Sequence, residues 1–226
     1  MASLKYIYIS FFLLCFNTNY SQKTENQERS KINIDSNWNY LENDTEKLSD
    51  AKNATNWITI NLPHSWNTED VTDNNPGYRR SASWYKKNLT LSNIDPNKLY
   101  KLYFEGSNIT TKVYVNGKEA GGHIGGYIGF TIDITNFVVS GNNDIMVRVD
   151  NNYNPEIIPS QKSDFFIYGG ITRDVWLLSM AKNHIENIKI TTQNVSEKSA
   201  NLSIVASLAP TSSLSKFTYS AQLFNP

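Results

Sequence analysis

The chain has 226 residues, 21 basic against 21 acidic side chains, and one cysteine. An α/β barrel takes about 250 residues by itself, so this length excludes a complete barrel enzyme with further domains, and a net charge of zero argues against a basic nucleic-acid face. The 39% hydrophobic and 12% aromatic content excludes wholesale disorder, and plentiful Tyr, Trp, Phe and Asn incline the chain to β structure.

Lys5, the apolar run Ile7–Phe16 and the polar exit Asn17–Ser21 have the layout of a secretory signal peptide, predicted over residues 1–21. The run is too short to span a bilayer, so export to the periplasm or the medium is expected without a membrane span. A strand or short helix opening the fold is the competing reading. Cys15 would be the lipidated residue of a lipoprotein, but bulky Leu14 stands where a small residue is usual. Loss of the signal leaves a chain without cysteine, hence without disulfide, thiol catalysis or thiolate metal site.

Residues 22–56 read as a polar lead-in with one aromatic island, Trp38-Asn39-Tyr40, and a short helical stretch around Asp44–Lys52. Strands are predicted at Trp57–Leu62, stopped by Pro63, and at Ser83–Leu91, Leu99–Glu105 and Thr110–Asn116. Asn116-Gly117 supplies a tight hairpin turn, and Lys118–Ala120 returns from it. Gly121–Tyr127 reads as a glycine-rich bend, Phe130–Ile134 as a strand, Ser140–Asn143 as a turn and Asp144–Asp150 as a strand. Asn151–Asp164 is a long loop, of the kind that more often carries function, and Val175–Leu178 closes the block. Closely spaced strands joined by Gly, Asn and Pro turns predict an all-β sandwich rather than a parallel α/β sheet. A second unit follows with strands at His184–Thr192, Ala200–Leu208 and Phe217–Leu223, about half of an immunoglobulin-like sandwich.

Leu62-Pro63-His64-Ser65-Trp66, Trp84-Tyr85-Lys86-Lys87, Phe104-Glu105-Gly106-Ser107 and Val113-Tyr114-Val115-Asn116-Gly117 come in order. Gly125-Gly126-Tyr127-Ile128-Gly129-Phe130, Asp133-Ile134-Thr135, Val147-Arg148-Val149-Asp150-Asn151, Ser163-Asp164-Phe165 and Gly169-Gly170-Ile171-Thr172-Arg173-Asp174-Val175-Trp176 follow. This succession resembles the N-terminal sugar-binding jelly roll of glycoside hydrolase family two, the family of β-galactosidases, β-glucuronidases and β-mannosidases. The resemblance implies a jelly roll over residues 57–181 and a partial immunoglobulin-like domain over 182–226. It places the two catalytic glutamates and most metal sites of the family on a barrel beyond this chain. No catalytic residue, cofactor or metal ligand is therefore assigned here.

In some members an Asp just before the Gly-Gly-Ile run reaches a sugar hydroxyl in the barrel's site, and Asp164 matches that position. A carboxylate accepts several hydroxyl bonds, though a loop Asp also caps turns, and without a barrel it would be solvated. Arg173 is a second candidate for sugar contact, against a structural role with Asp174 or the backbone. Tyr127 and Phe130, beside Gly125-Gly126, are the candidates for exposed contact. Trp66, Trp84 and Trp176 have the faces for sugar stacking but the alternating positions of packing residues. His64 lacks a nucleophile partner and reads as a strand-end residue bonded to the following loop.

Three functions compete. The first is the non-catalytic, β-linked-oligosaccharide-binding front of a secreted exo-β-glycosidase whose catalytic domain is absent from this chain. The second is a stand-alone carbohydrate-binding module, which the open strand edges of half a domain disfavour. The third is the remnant of a truncated gene.

Overall fold

The computed structural model describes residues 29–74, 77–157, 165–209 and 222. The predicted signal peptide, Asp164 and nearly all of the expected strand at Phe217–Leu223 lie outside them. The chain divides into two compact units, one of which is Arg29–Met180, while the other takes in Ala181–Pro226.

The first unit is an all-β sandwich. Its six-stranded sheet runs in the order β3 (Ile58–Ile60), β2 (Trp38–Leu41), β4 (Ala82–Leu91), β9 (Gly141–Asp150), β6 (Thr110–Val115), β7 (Lys118–Ile124). Its four-stranded sheet runs β1 (Ser30–Asn33), β10 (Val175–Ala181), β5 (Lys98–Phe104), β8 (Phe130–Asp133). The core forms where the inward residues of both sheets meet. Trp38, Tyr85, Val113 and Val147 from the larger sheet pack with Leu102, Phe104, Ile132 and Leu177 from the smaller. Strict alternation puts Leu102 and Phe104 inside and leaves Lys101 and Tyr103 half exposed.

The stretch expected to be a polar lead-in contributes to both sheets. β1 pairs antiparallel with β10, and β2 sits between β3 and β4. Sparse apolar residues conceal these strands, because each is only four residues long and β1 is an exposed edge. The predicted helix is α1 (Leu48–Asn53). It covers the outer face of the larger sheet, where Ala51 meets Leu41, Trp84 and Met146, the residues alternate to those facing the core. Arg148 ties the segment down by donating from Nε to the Thr45 carbonyl at 3.1 Å and from its guanidinium to the Asp44 carbonyl at 3.2 Å.

Two local readings change. The glycine-rich bend is strand as far as Ile124, and the chain bends only at Gly126–Ile128. At Gly122 a Cβ would lie 2.6 Å from the Thr111 carbonyl, so glycine permits the close strand approach beside the register shift at Val113/Tyr114. Gly141–Asn143 likewise belongs to β9 rather than to a turn. The hairpin at Asn116-Gly117 has positive φ at both residues, 51° and 82°, as a tight two-residue turn requires.

In the second unit, β11 (Ile185–Gln193) and β12 (Asn201–Leu208) form an antiparallel pair in register from Asn187↔Ser207 to Gln193↔Asn201. No helix among the described residues is long and apolar enough to cross a membrane.

Candidate functional site

The long loop after β9 begins and ends on a network of buried carboxamides. Asn151, fully buried, accepts from the Ser81 amide at 2.9 Å. Its Nδ2 donates to the carbonyls of Ile167 at 3.0 Å and Arg79 at 3.2 Å. Asn67, also fully buried, accepts from the Gly169 amide at 2.6 Å and donates to the Arg79 carbonyl at 2.9 Å. Its Nδ2 also donates to Asp70 Oδ2 at 2.7 Å, and that oxygen accepts from the Arg79 amide at 2.7 Å. Asn108 Nδ2 donates to the Tyr168 carbonyl at 2.6 Å, and Asn108 and Gly170 bond through their backbones. These groups close the backbone bonding of three loops that lack ladder partners.

The loop returns in tight contact. A Cβ on Gly169 would lie 2.0 Å from Trp66 Cζ2, and one on Gly170, at φ 126°, 2.3 Å from the His64 carbonyl. His64 donates its amide to the Ile171 carbonyl at 2.8 Å, and its Nδ1 lies 2.8 Å from the Tyr85 hydroxyl. Burial lowers the His64 pKa and raises that of Tyr85 well above the ordinary phenol value, Tyr40 adding to the latter. Burial raises the Tyr40 pKa too, partly offset by its bond to Ser83.

Above this base stands an aromatic rim. Tyr78 stacks on Phe166 at 4.5 Å, and Phe166 meets Tyr168 edge-on at 6.0 Å. Arg80 lies over the rings of Tyr78 and Tyr153, 5.4 and 5.6 Å from their centroids. Tyr153, Phe165 and Tyr168 are exposed, so ring faces and phenol hydroxyls are available to a ligand. Such groups suit sugars, which offer C–H patches to rings and hydroxyls to polar tips.

Asp164 precedes Phe165 and is outside the described residues. Tyr127 is 51% exposed on the bend after β7. Arg173 is exposed, its stem packed on Gly106, where a Cβ would also meet the Gly126 carbonyl, so Arg173 and the Tyr127 bend are neighbours. Phe130 departs from its expected role: it is buried, stacked between Phe104 and His123 at 5.0 and 4.2 Å. It begins β8 facing inward, so alternation overrides its position beside the glycines.

Trp84 is core, with its indole bonded to the Thr45 carbonyl. Trp66 lies half buried against Gly169 under the Arg79 guanidinium, at 5.0 Å. Trp176 donates to Glu105 at 2.9 Å and carries the Lys31 ammonium 4.0 Å over its ring, so neither is an open stacking platform. Asp174 faces Glu105, Asp35 and Lys31; burial and then repulsion by Asp35 and Glu105 raise its pKa. Sequence reasoning did not single out Asn67, Asn108 or the aromatic pair Tyr78–Phe166. Asparagines in Asn-rich loops carry no signal that separates a buried clasp from a solvent-facing turn. Among the described residues no three His, Cys, Asp or Glu side chains converge as metal ligands.

The fold and motif order match the description "Glycosyl hydrolases family 2, sugar binding domain" over residues 15–181. The chain belongs to this family. It is 60% identical over 199 residues to a Formosa agariphila protein provisionally named a β-glucuronidase, covering 88% of this chain and 24% of that protein. It is 32% identical to a β-galactosidase of Thermoanaerobacter pseudethanolicus, covering 80% of this chain and 25% of the relative. The crystal structure of the Bacteroides uniformis β-glucuronidase superposes with a TM-score of 0.70 at 33% identity, over 80% of this chain and 22% of that one. The chain thus spans about a quarter of the glycosidases it matches.

Proposed function

We propose that this chain is the sugar-binding front of an exported exo-β-glycosidase of β-glucuronidase or β-galactosidase type, acting on oligosaccharides released from polysaccharides. The observation that carries this is the match to the family's sugar-binding domain over 15–181 combined with quarter-length coverage of glycosidase relatives. In this reading Asp164 accepts a hydrogen bond from a terminal sugar hydroxyl. Tyr127 and Arg173 are the further candidates for sugar contact. The chain supplies position and contact, and the bond-breaking carboxylates of a retaining glycosidase, about 5 Å apart, are supplied by a barrel outside it. The described residues contain three antiparallel sheets and no such barrel.

The test is an assay of the purified chain on nitrophenyl β-glucuronide and nitrophenyl β-galactoside, which should show no turnover above buffer. Hydrolysis by this chain would refute the division of labour. The exposed rim of Tyr153, Phe165 and Tyr168 favours one second reading, a binding module that holds sugar unaided. Calorimetric binding of β-linked oligosaccharides in the millimolar range would support it, and silence across them would remove it.

A further inference from the structure

The outer face of the four-stranded sheet carries apolar side chains where a solvent-facing sheet is usually polar. Leu177, Leu102, Phe104 and Ile132 point into the core, so alternation turns Leu178 and Met180 of β10, Tyr103 of β5 and Thr131 of β8 away from it. These four, with Arg29 and Lys31 at the β1 edge, line a groove of about 350 Å³. That is the lower end of the range for small-ligand sites, about 300–1,000 Å³, and suits one sugar ring rather than a long chain. Neither Tyr127, Arg173 nor the rim of Tyr153, Phe165 and Tyr168 lines it.

Lys31 is held in this groove as a positioned cation. Its ammonium lies 4.0 Å over the Trp176 ring and 5.5 Å over that of Tyr103. Glu105 Oε1 stands 3.7 Å away, too far for a hydrogen bond, and already accepts the Trp176 indole N–H at 2.9 Å. Two rings and a carboxylate therefore fix the charge, while the three N–H donors of the exposed ammonium find no acceptor among the described residues. Arg29 lines the same wall, and among the described residues no Asp or Glu lines the groove. We propose that the groove binds one acidic sugar unit, a uronosyl ring of a β-linked oligosaccharide, with its carboxylate on Lys31.

The parts match such a ring. Leu178, Met180 and the half-buried Tyr103 ring offer an apolar floor to the pyranose C–H face. The Thr131 hydroxyl, exposed at the far wall, both donates to and accepts from sugar hydroxyls. A carboxylate on the Lys31 ammonium makes charge-assisted bonds, and a cation already held by its neighbours loses little freedom in making them. A neutral hexose offers Lys31 no charge, so the groove prefers the acid. The proposal rests on the sugar-binding reading and adds to it a second place of contact and a class of sugar.

NMR of the whole chain tests this, with Leu and Met methyls and backbone amides followed as methyl β-glucuronide, or its uncharged counterpart methyl β-glucoside, is added. Saturable shifts at Leu178, Met180 and Thr131 are expected, with a Kd about tenfold tighter for the glucuronide. Lys31→Gln should remove that difference and leave the glucoside unchanged. Equal affinity for the two sugars, or a difference that survives Lys31→Gln, overturns the proposal. Shifts confined to Tyr127, Tyr153 and Tyr168 overturn it while sparing the sugar-binding reading, and silence at every residue takes unaided sugar binding with it. Methyl contacts to residues 22–28 or to a second copy in the sugar-free chain would mean that the groove is already filled, and overturn it too. The turnover assay tests the glycosidase reading separately. If Lys31→Gln does not fold, the comparison of the two sugars on the wild-type chain decides alone.

Discussion

Replacing Asn151 by Ala removes a side chain that is fully buried and bonds three backbone groups in two separate stretches, Arg79–Ser81 and Ile167. The Arg79 carbonyl keeps its second donor, Asn67 Nδ2 at 2.9 Å. The Ser81 amide and the Ile167 carbonyl lose theirs. Each orphaned buried group costs about 1–3 kcal/mol, which places the pair at about 2–6 kcal/mol. The vacated space is polar and can take a water, which recovers part of the loss, so about 3 kcal/mol is expected. For a chain of this size that is a fall in Tm of roughly 6–12 °C. Urea unfolding followed by tryptophan fluorescence measures it, with the m-value required to stay constant so that the change is one of stability. A loss under about 1 kcal/mol would mean that water or a shifted backbone satisfies both groups and that the clasp does not organise the loop.

Gly169→Ala should cost about 3 kcal/mol, the upper end for over-packing, because its Cβ would meet Trp66 Cζ2 at 2.0 Å and Asn151 Cγ at 2.8 Å; thermal unfolding reads it. Arg148→Met keeps the packing stem but leaves the Asp44 carbonyl and Asp150 without the guanidinium, so a loss of about 2 kcal/mol is expected, with faster proteolysis around α1. In alkali, Tyr40, Tyr85 and Tyr114 should ionise late, since burial raises all three and Tyr85 most clearly. The unfolded chain gives up these protons first, so their contribution is intact below about pH 10 and is lost as the pH rises further. Absorbance at the phenolate band should therefore show a late phase that coincides with unfolding.

The strands were legible where alternation ran long. β4, β5, β9 and β10 emerge within a few residues of their expected places, because each carries a full apolar face across a shared core. β1 was hidden, since an edge strand of Ser, Lys, Ile and Asn has no period to read and is defined only by its partner β10. Gly122 misled because a glycine that admits a neighbouring backbone looks, in sequence, like a glycine that makes a bend. At the site, the motif order located the loop. It could not show that Asn67 and Asn151, 84 residues apart, meet in the interior, because carboxamide pairing has no local pattern.

The base of the long loop is held almost wholly by carboxamides, amides and carbonyls, with Asp70 a carboxylate among them. Dipoles of this kind are not screened as ion pairs are, since mobile salt acts on net charge over a Debye length of about 8 Å in physiological solution. The grip on the loop should therefore be indifferent to salinity. A loop held this way keeps one geometry across media of very different ionic strength.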